Sequence, residues 1–146
     1  MAGAKTFDLN SVSFAVGGVI IDGFQAGDAC TAQSNSDAFS MESGADGEVL
    51  FTKSNDRTGT IELTLMYSSE ANRTLSELHQ LDLQSNAGLT SITITDTRGG
   101  CEVFAKNCRI SKLPDLTLGQ EAGTLTWPLH CADLSVKYFG LPDETP

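Results

Sequence analysis

The groups in this 146-residue chain that could do chemistry are few: His79, His130, four cysteines and a scatter of carboxylates. Cys108, His130 and Asp133 are the one nucleophile set that can be imagined. Such triads are defined by geometry rather than by order in the chain, and nothing in this spacing brings the three together. His79 falls beside the apolar stripe of an expected helix, and His130 alternates outward between Leu129 and Cys131. Both are positions for a satisfied surface or boundary histidine. Cys30, Cys101, Cys108 and Cys131 form no CxxC pair and no zinc pattern; they read as four reduced thiols, buried or half-buried. Asp46-Gly47 and Asn55-Asp56 resemble fragments of calcium loops but lack the spaced ligands and distal glutamate of an EF-hand, so they read as turns. Neither a glycine-rich phosphate loop nor a dinucleotide fingerprint is present. Asn72-Arg73-Thr74 spells a glycosylation sequon, but on an expected helix. Trp127 reads as core, and aromatic residues are too sparse for a base-stacking platform. The expectation is a chain that is not an enzyme and uses no cofactor and no metal.

Charge narrows the partners. Nineteen acids against nine bases give a net charge of −10, while 40% of the residues are hydrophobic. That is enough for a core, unlike a disordered acidic tail. Between Thr6 and Thr52 there is no Lys or Arg, yet the stretch holds Asp8, Asp22, Asp28, Asp37, Glu42, Asp46 and Glu48. Nucleic-acid binding needs bases to replace phosphate counterions, and anionic membranes select for them too. The sequence argues against both as sticking partners. It remains compatible with a surface past which a polyanion slides. No apolar run approaches a membrane span, and the N-terminal residues lack the pattern of a secretory signal, which makes cytoplasmic synthesis the expectation.

The elements that must position these residues are mostly strands. Alternation of period two marks residues 7–16, 19–21, 29–35, 48–53, 60–67, 90–95, 101–110, 124–131 and 135–139. Gly17-Gly18 joins the first two as a hairpin turn. Residues 35–47, rich in Ser, Asn, Asp and Gly, read as a long loop, with Phe39 and Met41 poorly suited to a solvated one. Residues 48–53 and 60–67 are expected to pair, with Asn55, Asp56 and Arg57 in the hairpin turn between them. Ile61, Leu63 and Leu65 take the buried face of that pair. One helix is expected over 70–83, capped by Ser68 or Ser69 and carrying Ala71, Leu75, Leu78 and Leu81 as its apolar stripe. Pro128 makes its strand an edge or locally irregular. The fold class is mainly β: a β-sandwich or partly open barrel of about seven to nine strands with one flanking α-helix, in a single domain over 1–146. Its core runs over about 7–139, and 140–146 form a loose tail.

Three stretches, taken together, carry a family resemblance. They are Asp37-Ala38-Phe39 with Gly44-Ala45-Asp46-Gly47-Glu48-Val49; Ser54-Asn55-Asp56-Arg57-Thr58-Gly59-Thr60; and Gly119-Gln120-Glu121-Ala122-Gly123 leading to Trp127 and Cys131-Ala132-Asp133-Leu134. Their order and spacing, over roughly residues 7–134, resemble the tail tube subunits of contractile-tailed bacteriophages. Pro128 is a departure from the family's regular strand after the Trp. The resemblance implies homo-hexameric rings stacked into a tube in the virion tail, assembled in the host cytoplasm. It implies partners in the tail sheath, baseplate and tail terminator proteins, with DNA passing through without specific binding. On that footing Asp37, Phe39, Met41, Glu42 and Asp46 are expected in contacts between subunits. Glu48, Thr52, Thr60, Glu62 and Thr64, a polar face without a base, are expected to line the channel. Leu50 shares the parity of that face and is its apolar exception. The alternative from another class is a monomeric or trimeric β-sandwich binding or decoration module of a virion.

Overall fold

The computed structural model describes residues 4–24, 27 and 29–141. Asp28 and residues 142–146, most of the expected tail, lie outside them. Among the described residues, nine strands and one α-helix follow one another: β1 (Val12–Val16), β2 (Val19–Ile20), β3 (Cys30–Ser34), β4 (Phe39–Ser43), β5 (Val49–Lys53), β6 (Gly59–Met66), α1 (Ala71–Ser85), β7 (Thr90–Asp96), β8 (Cys101–Ile110) and β9 (Thr124–Tyr138). The expected strand over 7–16 begins instead with a 3-10 turn, Leu9–Ser11, because the Asp8 carboxylate accepts from the Asn10 N–H and draws the backbone round.

Seven strands form one antiparallel sheet in the order β2-β1-β7-β8-β9-β6-β3. The sheet curls on itself. Phe14 and Val16 of β1, Ile61, Leu63 and Leu65 of β6, Ile92 and Ile94 of β7, Val103 and Ala105 of β8, and Trp127 and Leu129 of β9 all join one buried cluster. Strands near both ends of the order close over it, Val12 of β1, next to the β2 edge, and Cys30 and Ala32 of the edge strand β3 packing against the same core. Of the sandwich and the partly open barrel expected from the alternation, this arrangement is the barrel.

Three features shape the sheet. Gly17 and Gly18 have φ of 59° and 83°, the doubly positive pair a type I′ turn requires, and place Val16 opposite Val19. In β8 the register against β7 slips between Thr90 and Ile92, and Asn107 on β8 takes φ of 53°. A β-bulge of this kind increases local bend and twist. The two expected strands 124–131 and 135–139 are one continuous 15-residue β9. It pairs with β6 through Thr124–Cys131 and with β8 through Leu129–Tyr138, so it carries the sheet from one wall to the other. Pro128 does not interrupt β9. Its carbonyl accepts from Ser111 N at 3.0 Å, just past the end of β8. Because N and O of one strand residue point the same way, the missing donor also faces the side where β8 has stopped.

The helix packs on the barrel through Ala71, Leu75 and His79, with Leu78 partly buried. His79 is thus interior, and Leu81, expected in the stripe, is exposed; a spacing of four favours 71, 75 and 79 over 81. The N-cap position is Glu70 rather than Ser68 or Ser69, but Ser69 Oγ accepts from Ala71 N at 3.3 Å and donates to the Asp22 carbonyl at 2.7 Å, so its hydroxyl ties the helix start to the chain before β3. Asn72 bridges to the sheet, accepting from Trp127 Nε1 at 2.9 Å and donating to the Met66 carbonyl at 2.9 Å. Asp82 pairs with Arg109 of β8 at 2.8 Å.

Candidate functional site

None of the imagined chemistry assembles. Cys108 lies in the core, while His130 faces outward on the other side of the sheet, which separates the nucleophile from its base. Among the described residues no group of His, Cys, Asp or Glu could hold a metal ion.

What stands out is the segment expected to be a loop. Residues 39–43 form a strand, β4, paired with β5 as a separate two-stranded sheet. The expected pairing of 48–53 with 60–67 does not occur. β6 is flanked by β3 and β9, with Gly59–Met66 opposite Cys131–Thr124, so β6 already has a partner on each side and β5 turns to β4. Serine-rich composition hid β4, but Phe39 and Met41 alternate with Ser40 and Glu42 as a strand requires.

Every residue of β4 and β5 is exposed. Cα register places Phe39 opposite Lys53, Met41 opposite Phe51 and Ser43 opposite Val49. Phe39, Met41, Phe51 and Val49 therefore share one face, at 60%, 66%, 64% and 48% exposure. Ser40 opposite Thr52 and Glu42 opposite Leu50 form the other. The hairpin is amphipathic, with Leu50 the exception on its polar side. Asp46 caps the tip, its carboxylate accepting from Glu48 N at 3.2 Å where Gly47 turns with φ of 86°. An isolated hairpin is marginal in water, and this one exposes a contiguous apolar strip of the kind that marks an interaction surface.

Asn55, Asp56 and Arg57 are not a hairpin turn but the neck that ties this arm to the barrel. The Asp56 carboxylate accepts from the Ser36 hydroxyl and from Thr58 N at 2.9 Å, and Asn35 Nδ2 donates to Thr58 Oγ1 at 3.0 Å. The Ser36 and Thr58 hydrogen bonds pull the Asp56 carboxyl down to about 2. Arg57 contributes its carbonyl to Leu134 N of β9 at 2.9 Å. Asp37, exposed, sits at the base of the arm.

Thr60, Glu62 and Thr64 do share the outer face of β6. Register adds neighbours that sequence reading missed: Gln33 and Thr31 from β3, and His130 and Thr126 from β9. Thr64 and Thr126 hydroxyls are 3.1 Å apart. The alternation in each strand could have found them, once the strand order was known. Glu48 and Thr52 are not on this face; they belong to the arm.

A family model described as "Bacteriophage PhiTE tail tube protein" matches residues 2–138. The chain belongs to this tail tube family. It is therefore a structural component of a phage tail and not an enzyme. Among solved structures, the anti-feeding prophage cap (AFP tube terminating cap) superposes with a TM-score of 0.62 at 12% identity, over 95% of this chain and 95% of that one. The sheath/tube terminator of PVC, an extracellular contractile injection system, in its extended state has a TM-score of 0.62 at 13% identity, over 92% and 98%. The PVC sheath-tube complex in its extended state gives 0.62 at 13%, over 92% and 93%. At such identities the tail tube chain shares their fold. No curated protein matches it.

Proposed function

We propose that this tail tube subunit forms rings of six that stack into a tube, through which DNA passes without being held, inside a contractile sheath and between baseplate and terminator proteins. The observation that carries the reading is the amphipathic β4–β5 arm. Its apolar strip, Phe39, Met41, Val49 and Phe51, rests on a neighbouring subunit, and Asp37, Glu42 and Asp46 lie in or beside that contact. Burying each large side chain contributes about 1.5–3 kcal/mol, against the entropy of association. The polar side of the arm, with Glu48 near its tip and Thr52, continues the wall formed by Thr60, Glu62 and Thr64. Pooled edge strands leave no unpaired backbone, the usual hazard of an open sheet. Along the β6 wall, the Glu62 carboxylate and the threonine hydroxyls offer phosphates few charge-assisted partners, and repulsion acts within a Debye length of about 8–10 Å. Electron microscopy with light scattering of the purified chain tests this: rings of six and tubes are expected, and a strict monomer at high concentration overturns it.

A further inference from the structure

Cys108 and Cys131 are direct partners across β8 and β9, both buried, with their Sγ atoms 3.0 Å apart. All four cysteines are free in the structure. We propose that this pair is a latent cross-strand disulfide, a modification site that a peroxide-class oxidant closes to staple β8 to β9. Opposed residues of an antiparallel pair hold their Cα atoms about 4.5–5.5 Å apart, within the roughly 4.4–6.8 Å a disulfide spans. A bonded S–S distance is about 2.05 Å, so the sulfurs must close by ~1 Å, a side-chain adjustment rather than a backbone one.

The pair is also polarised. The Cys108 thiol donates to Cys131 Sγ, which lowers the pKa of Cys131 and, with burial, raises that of Cys108. The thiolate is the nucleophile in thiol oxidation, so Cys131 attacks first. Its sulfur bonds one oxygen of hydrogen peroxide, the O–O bond breaks, and the departing hydroxide takes up a proton as water. Cys131 is then a sulfenic acid. The Cys108 sulfur attacks the Cys131 sulfur, the S–O bond breaks, and the hydroxyl leaves with the Cys108 proton as a second water. Two thiols and one peroxide give one disulfide and two waters, the two sulfurs supplying the two electrons the peroxide accepts. Burial favours a small oxidant, admitted by local opening, over a bulky disulfide reagent. The staple lies beside the bulge at Asn107 and where β9 pairs with β8 and β6 at once, Cys131 standing opposite both Cys108 and Gly59.

The test uses the freshly reduced full chain, treated with stoichiometric hydrogen peroxide, then mapped without reduction and melted. A peptide linking Cys108 to Cys131 is expected, with a melting temperature higher by about 5–10 °C, both reversed by dithiothreitol. Cys108→Ala and Cys131→Ala should each abolish the peroxide-induced shift. The wild-type chain carries the positive result, so the outcome does not hang on either variant folding. Persistence of both thiols after peroxide, conversion to sulfinic acid, or a link to Cys30 or Cys101 instead overturns the proposal. A correct link without any rise in melting temperature overturns the stapling.

Discussion

Two residues set the precision with which the arm leaves the barrel. Gly59 is buried at the start of β6, and a Cβ there would lie 2.8 Å from Leu134 Cβ and 2.9 Å from the Gln33 carbonyl oxygen. The backbone itself approaches too closely for a side chain, so Gly59→Ala should lower stability by about 1–3 kcal/mol. Chemical denaturation measures this; an unchanged midpoint would show that β3, β6 and β9 do not pack this tightly. Asp56 makes the second point. Its ordinary carboxyl value of 3.8 falls to about 2 in the folded chain. A depressed folded value means that the stabilisation is present above the unfolded pKa and is lost as pH falls through the folded one. The Ser36 and Thr58 contacts should therefore loosen between about pH 4 and pH 2. Hydrogen exchange at the Thr58 amide should accelerate in that window relative to its intrinsic rate, and Asp56→Asn should remove the step. Gly59 and Asp56 both stand in the Ser54–Thr60 motif that supported the family resemblance, whose glycine and aspartate now have physical reasons.

At the scale of elements, the barrel strands and β5 were legible, and β4 with its pairing to β5 was not. Ile61, Leu63 and Leu65 alternate without interruption, so β6 and its buried face follow from the sequence. The Gly17-Gly18 turn does too. β4 was missed because its polar positions are serines and glutamate flanked by loop-forming residues, and an exposed strand has no hydrophobic run to announce it. The strand order was not legible either: β6 lies between β3 and β9, pairings separated by about 30 and 70 residues, which local turn chemistry cannot specify. The arm's independence gives a sharp expectation. Because Phe39 and Met41 touch no core, replacing both with Ser should leave the melting temperature of the unassembled subunit within about 2 °C and abolish or sharply weaken tubes. Calorimetry and electron microscopy on one preparation separate the two; unaltered polymerisation would remove the arm from the interface.

At the scale of the whole molecule, charge and wall go together. With net charge −10 and Glu62 on the outer face of β6, Glu48→Lys with Glu62→Lys should leave folding and tube formation intact. It should slow or truncate DNA ejection from phage carrying it, since lysines would grip passing phosphates. A tube reconstruction with both residues on the outer surface would end that expectation. On the proposed assembly, the solitary hairpin would also set how growth begins. A lone subunit offers the arm no docking face, so the first ring would have to form before any arm is templated, whereas each later subunit would meet a finished face. Polymerisation should then show a lag and a critical concentration, and sheared tubes added as seeds should abolish the lag while leaving the critical concentration unchanged.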